Sequence, residues 1–212
     1  MNRAAFAGLF VVAAMMGLAQ PLAAHRLDEY LQATRISIER DQIVAEMSLT
    51  PGEAVAAAVI AEMDADRDGR ISEAEGREYM ERIVAQLRLE VDGKRKPFAL
   101  EKYRVPPPED MRAGEGVIRL RAVAMVERFT GRRHLRYGNS YRSDIGAYLV
   151  NALLPADEGI RITGQSRDMW QREFDLDYTV SPDDRHLSAA AIGPALAALA
   201  LAVVALAVKR VW

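Results

Sequence analysis

Apolar and polar residues alternate with a period of two through most of the stretch from His25 to His186, the pattern of strands that bury one face. Arg35-Ile-Ser-Ile-Glu39 alternates, Asp41-Gln42 turns, and Ile43 to Leu49 alternates again, which predicts a hairpin. Leu87-Arg-Leu-Glu-Val91 repeats the pattern, Asp92-Gly93 is a strong turn signal, and Pro97 to Val105 returns. Pro106-Pro-Pro108 ends that strand. Val117 to Val126, Arg133 to Tyr137, Ile160 to Ile162 and Phe174 to Val180 complete about eight short strands, the number and spacing of an antiparallel β-sandwich. Tyr148 to Leu154 fits a strand or a short helix equally well.

Two segments switch to a helical period. Ala54 to Met63 places Val55, Val59, Ile60 and Met63 on one side, and Glu73 to Gln86 places Tyr79, Met80, Ile83 and Val84 on one stripe. Between them runs Asp64-Ala-Asp66-Arg-Asp68-Gly69-Arg70-Ile71-Ser72-Glu-Ala-Glu75. Oxygen-bearing side chains stand at positions 1, 3, 5, 9 and 12 of this stretch, and a glycine stands at position 6, where a sharp bend is needed. A hard cation such as calcium takes about six to eight oxygens, and one turn of chain must supply most of them. This stretch resembles the calcium loop of the EF-hand family. The resemblance implies Asp64, Asp66 and Asp68 as ligands, the backbone carbonyl of Arg70, Ser72 through a water, and Glu75 as a bidentate clamp. Two departures accompany it. Gly76 stands where EF-hands place a large apolar residue, and the sequence holds no second loop of this pattern.

The ends of the chain change the picture next. Arg3, an uncharged apolar run from Ala4 to Leu18, and the small-residue exit Pro21-Leu-Ala-Ala24 read as a secretory signal peptide over residues 1–24. Leu187 to Val208 carries no charge; about 22 residues at 1.5 Å each reach roughly 33 Å, the thickness of a bilayer core. Lys209-Arg210-Val-Trp212 follows, basic residues that favour the cytoplasmic side. The expectation is a single-pass protein of the inner membrane, anchored by a transmembrane helix over 187–208, with a short cytoplasmic tail and residues 25–186 on the periplasmic side. A processed sorting tail is the alternative.

Three of the 28 basic residues (Arg3, Lys209, Arg210) lie outside residues 25–186, whereas all 30 acidic ones lie inside, so that stretch carries a net charge of −5. Such a balance argues against nucleic acid as a partner. The chain has no cysteine, which excludes disulfides, a lipidated cysteine and a thiolate metal site.

Other chemistry is sparse. A cut after Ala24 would leave His25 as an N-terminal residue able to offer its amino group and imidazole to copper or nickel, with His134 as the second nitrogen. His134, Tyr137, Asn139, Tyr141, Asn151, Gln165, Arg167 and Asp168 form a polar series that could line a cleft, though turn chemistry explains such residues as well. No nucleophile elbow, zinc-helix motif or phosphate loop is present, and no enzyme is expected. The layout is also similar to the exported accessory domains associated with bacterial nickel- or cobalt-type permeases: a mature start at Ala24-His25, an early hairpin, an Asp-x-Asp-x-Asp-Gly loop and then β-structure. That similarity implies a membrane-protein partner in metal handling. The expected class is α+β: an antiparallel sandwich-like domain with an EF-hand inserted over 52–87, plus one C-terminal transmembrane helix. The expected function is structural or assembly-related calcium binding; the alternative is a transition-metal accessory protein.

Overall fold

The computed structural model describes residues 28–182. Ten strands form two five-stranded sheets. In chain order they are β1 (Tyr30–Ile38), β2 (Gln42–Pro51), β3 (Leu87–Val91), β4 (Lys94–Arg95), β5 (Ala99–Arg104), β6 (Ile118–Met125), β7 (Gly131–Asn139), β8 (Gly146–Ala152), β9 (Ile160–Arg167) and β10 (Glu173–Val180). Three helices interrupt them: α1 (Glu53–Met63), α2 (Glu73–Gln86) and α3 (Pro108–Arg112). One sheet has the order β5-β6-β2-β1-β8 and the other β4-β3-β7-β10-β9.

Alternation sets the faces. On β1 the even-numbered residues Tyr30, Gln32, Thr34, Ile36 and Ile38 are buried, and their odd neighbours lie outside. Ile36, Ile43, Met47, Leu135, Phe174, Leu176 and Tyr178 bring both sheets into one core, and α1 and α2 add Val59, Ile60, Met63, Tyr79, Met80 and Ile83 to it. The Asp92-Gly93 turn forms with both residues at positive φ, 52° and 73°, as a two-residue hairpin turn requires. Its return strand is only two residues long. Pro97, which has no N–H to give a ladder, follows it, and the next strand, β5, belongs to the other sheet.

The expected class does not hold. The described residues are mostly β, 46% strand against 19% helix, and one strand pair, β1 with β8, is parallel. Residues 53–86 run helix, acidic loop, helix, but the EF-hand arrangement is not what is seen. Glu75, the expected clamp, caps α2 instead of joining the acidic cluster, and both helices are packed into the common core. Gly76 shows why no partner hand could pack there: a Cβ would come within 3.3 Å of both Tyr103 and Val105, because α2 lies directly against β5. No helix among the described residues is long and apolar enough to cross a membrane. Residues 1–24, His25 and the expected span over 187–208 with its tail lie outside the described residues.

Candidate functional site

The acidic loop begins where α1 stops. Asp64 is the C-cap of α1, and its backbone N–H still donates to Ile60. Arg67 and Gly69 then take positive φ (62° and 82°). The bend is tight at Gly69, where a side chain would be strained. These turns carry one carboxylate oxygen from each of Asp64, Asp66 and Asp68 to within 4.8 Å of one another. Several of the oxygens are already used. Asp64 Oδ2 accepts from the Gly69 N–H at 3.0 Å, Asp66 Oδ1 from Asp68 N–H at 3.1 Å, and Asp68 Oδ1 from Arg70 N–H at 2.8 Å.

One is not. Asp64 is only 8% exposed, and its Oδ1 is buried with no hydrogen-bond partner, alone in this among side-chain N and O atoms of the described residues. A buried carboxylate oxygen without a donor carries the full cost of its lost hydration. Here it stands beside two further carboxylates, so a cation would relieve desolvation and like-charge repulsion together. The donor set is all oxygen, which suits calcium or magnesium and not a soft metal. On these grounds the residues fit a hard divalent cation.

The other expected ligands sit apart from that trio. Glu75 Oε1 accepts from the N–H groups of Ala65 (2.8 Å) and Asp66 (3.4 Å), and Oε2 from the N–H and hydroxyl of Ser72 (2.8 and 2.7 Å). Ser72 Oγ in turn accepts from Glu75 N–H, which completes a capping box at the start of α2. The Ser72 backbone and side-chain donors, with those of Ala65 and Asp66, hold the Glu75 carboxyl down at about 2. Glu75 therefore ties the first turn of the loop to its end. Arg70 is exposed.

The polar series read from the C-terminal half does not converge on a cleft. His134 lies on the outer face of β7, Nδ1 at 2.9 Å from Asp177 and Nε2 at 3.2 Å from Asp175, so both ring nitrogens face carboxylates. Asp168 serves a turn, accepting from the N–H groups of Trp170 and Glu173. Gln32, Asn139 and Tyr141 form a buried chain: Asn139 Nδ2 donates to Gln32 Oε1, and Gln32 Nε2 to the Tyr141 carbonyl.

Sequence reading passed over Glu62, two residues before Asp64. Its carboxylate accepts from the Tyr141 hydroxyl (3.3 Å) and pairs with Arg142, joining the end of α1 to the loop that opens β8. A glutamate on a helix carries no signal of such a partner, because the contact spans 79 residues of chain. No protein family, no curated sequence and no solved structure matches this chain.

Proposed function

We propose that this chain is a calcium-binding protein whose ion is held in the Asp64–Glu75 loop and stabilises the junction of α1 and α2. The observation that carries the reading is the orphaned, buried Oδ1 of Asp64 beside the carboxylates of Asp66 and Asp68. The resemblance of residues 64–75 to the EF-hand calcium loop supports it. Glu75, Ser72 and the Arg70 carbonyl are further donors in this reading; Glu75 must first release the Ala65 and Asp66 amides that it now accepts from. The role is binding or assembly. The signal-like first 24 residues support a location outside the cytoplasm, and a site of roughly 10⁻⁴–10⁻³ M affinity would fill there. The layout shared with permease accessory domains supports a membrane-protein partner.

Calorimetric titration of the full chain with calcium, and with copper and nickel in parallel, tests this. Calcium binding that disappears in Asp64→Asn is the expected result. Tight copper or nickel binding with no response to calcium would replace the reading with transition-metal handling.

A further inference from the structure

The two sheets end in four edge strands, β5 and β8 in one, β4 and β9 in the other. Three of these are defended. β5 carries Glu101, Lys102 and Arg104 and an irregular register between Leu100 and Lys102. β4 is two residues, Lys94 and Arg95, and β9 carries Arg161 and Arg167. Charges, irregularity and shortness are the devices that keep edges from pairing with another chain. β8 has none of them. Ile145 to Ala156 contains no charged residue. Leu149 is 41% exposed on the outer face, and Leu154, just past the strand, is 92% exposed.

The hydrogen-bonding parity of β8 follows from its parallel pairing with β1. Tyr30 N–H donates to the Ile145 carbonyl, and Leu153 N–H donates to the Ile36 carbonyl, both at 2.8 Å. The odd-numbered groups of β8 therefore face β1, and those of Tyr148, Val150 and Ala152 face the side on which no described strand pairs, while the Gly146 N–H turns back to the Arg142 carbonyl (2.7 Å). One open-side acceptor is occupied. Arg167 reaches across from β9, donating from Nε to the Val150 carbonyl (2.6 Å) and from Nη2 to Asn151 Oδ1 (2.7 Å). Its guanidinium lies 5.0 Å from the centre of the Phe174 ring.

We propose that the open edge of β8 is where two copies of this chain pair, antiparallel about a two-fold axis, and that Arg167 is the removable cap that holds this pairing back. A second copy is the occupant because the strand complements itself. Each β8 presents the same even-numbered donors and acceptors, two uncharged strands set no like charges against each other, and Leu149 of each is offered an apolar neighbour. Every antiparallel register that joins Tyr148, Val150 and Ala152 to their counterparts needs the Val150 carbonyl, which is the atom Arg167 covers. Pairing and capping are mutually exclusive.

Sedimentation velocity of the purified full chain in mild detergent tests this with two variants of opposite sign. Arg167→Gln, which uncovers the Val150 carbonyl, should tighten self-association about tenfold. Leu149→Lys, an exposed position, should abolish it while leaving the fold intact. Asn151→Ala loosens the same cap from its other anchor and should act in the direction of Arg167→Gln, more weakly; it serves if loss of the Phe174 contact unfolds that variant. In the dimer, the amides of Tyr148 and Val150 should gain protection from hydrogen exchange. A chain that stays monomeric in both cap variants overturns the proposal, and so does an association that survives Leu149→Lys. A monomer that binds an unrelated extended peptide along β8 in place of its own copy overturns the choice of occupant.

Discussion

Glu62 and Asp64 are carboxylates two residues apart at the end of one helix, and they have opposite fates. Glu62 is answered on both oxygens, by the Tyr141 hydroxyl and by Arg142, which is itself held by Asp144. Through Tyr141 it adjoins a buried aromatic group in which the Tyr30 and Tyr79 hydroxyls lie 3.1 Å apart and the Tyr79 and Tyr141 rings pack edge to face at 6.0 Å. Asp64 is more deeply buried than Glu62, yet one of its oxygens has no partner. Among the described residues the other buried polar side-chain atoms are satisfied, so this one calls for an explanation. The satisfied carboxylate belongs to the architecture; the unsatisfied one is the observation on which the calcium proposal rests.

Alkaline pH should break the satisfied side of this comparison most severely. Burial pushes the ionisation of Tyr30, Tyr79, Tyr137, Tyr141, Tyr148 and Tyr178 above the ordinary tyrosine value near 10. Tyr79 is raised further by the charges of Tyr30 and Glu62, and Tyr141 by those of Tyr79 and Glu62. A raised folded value means that the folded protein holds these protons more tightly than the unfolded chain. The stabilisation is complete below about pH 10 and is lost as pH rises beyond it. The expected outcome is cooperative unfolding above pH 10, with tyrosinate absorbance appearing in step with loss of the fold. Absorbance that rose well before unfolding would show the hydroxyls to be accessible.

The unsatisfied side should respond to calcium. An ion bound only by the folded state adds about 2.7 kcal/mol at a hundred times its dissociation constant; for a domain of this size that is roughly 5–10 °C in melting temperature. Asp64→Asn should remove most of that response, since it withdraws the one buried ligand. It should also raise the melting temperature without calcium, because an uncompensated negative charge leaves a buried position. A variant less stable than wild type in the absence of calcium would mean that Asp64 is already compensated within the chain.

Glu75→Gln separates the cap from the ligand. The capping box and the link to the Ala65 and Asp66 amides depend on carboxylate oxygens, so stability without calcium should fall. The calcium affinity should fall with it, because the loop is no longer closed end to start. An unchanged calcium response beside the lower melting temperature would make Glu75 a cap alone.

How much of this was legible in the sequence varied with the range of the interaction. Leu87–Val91 and Glu73–Gln86 coincide with β3 and α2 to the residue, because alternation and the helical apolar stripe are local. The acidic trio was legible for the same reason: five residues of loop carry all three carboxylates. The sheet partnership was not. Pro97 to Val105 reads as the return of a hairpin, and only the three-dimensional course of the chain shows that it crosses to the other sheet. Gly76 reads as a weakness, and becomes intelligible only once Tyr103 and Val105, 27 and 29 residues later, occupy the space. Tyr148 to Leu154 was undecidable because a strand with one buried and one apolar exposed face has no polar beat to count. The cap that Glu75 makes was hidden because its sequence position fits both a clamp and a cap, and orientation alone distinguishes them.

The smallest effect is expected on the outer face of the second sheet, where acids and bases are numerous and several are paired. Arg88 pairs with Glu173, Arg136 with Asp175, and His134 stands between Asp175 and Asp177. By count of titratable groups this ladder looks more like a site than the acidic loop does, and it includes the histidine that a transition-metal reading requires. Yet these side chains are largely solvated, and exposed ion pairs contribute between about 0 and 1 kcal/mol. His134→Ala should therefore shift the melting temperature by no more than about 2 °C, and leave calcium binding untouched. It should leave copper and nickel titrations indistinguishable from wild type, because both ring nitrogens are already turned to carboxylates on their own sheet. A loss of tight copper or nickel binding in His134→Ala would reverse the comparison, making the paired cluster the functional one and the orphaned Asp64 a tolerated defect of packing.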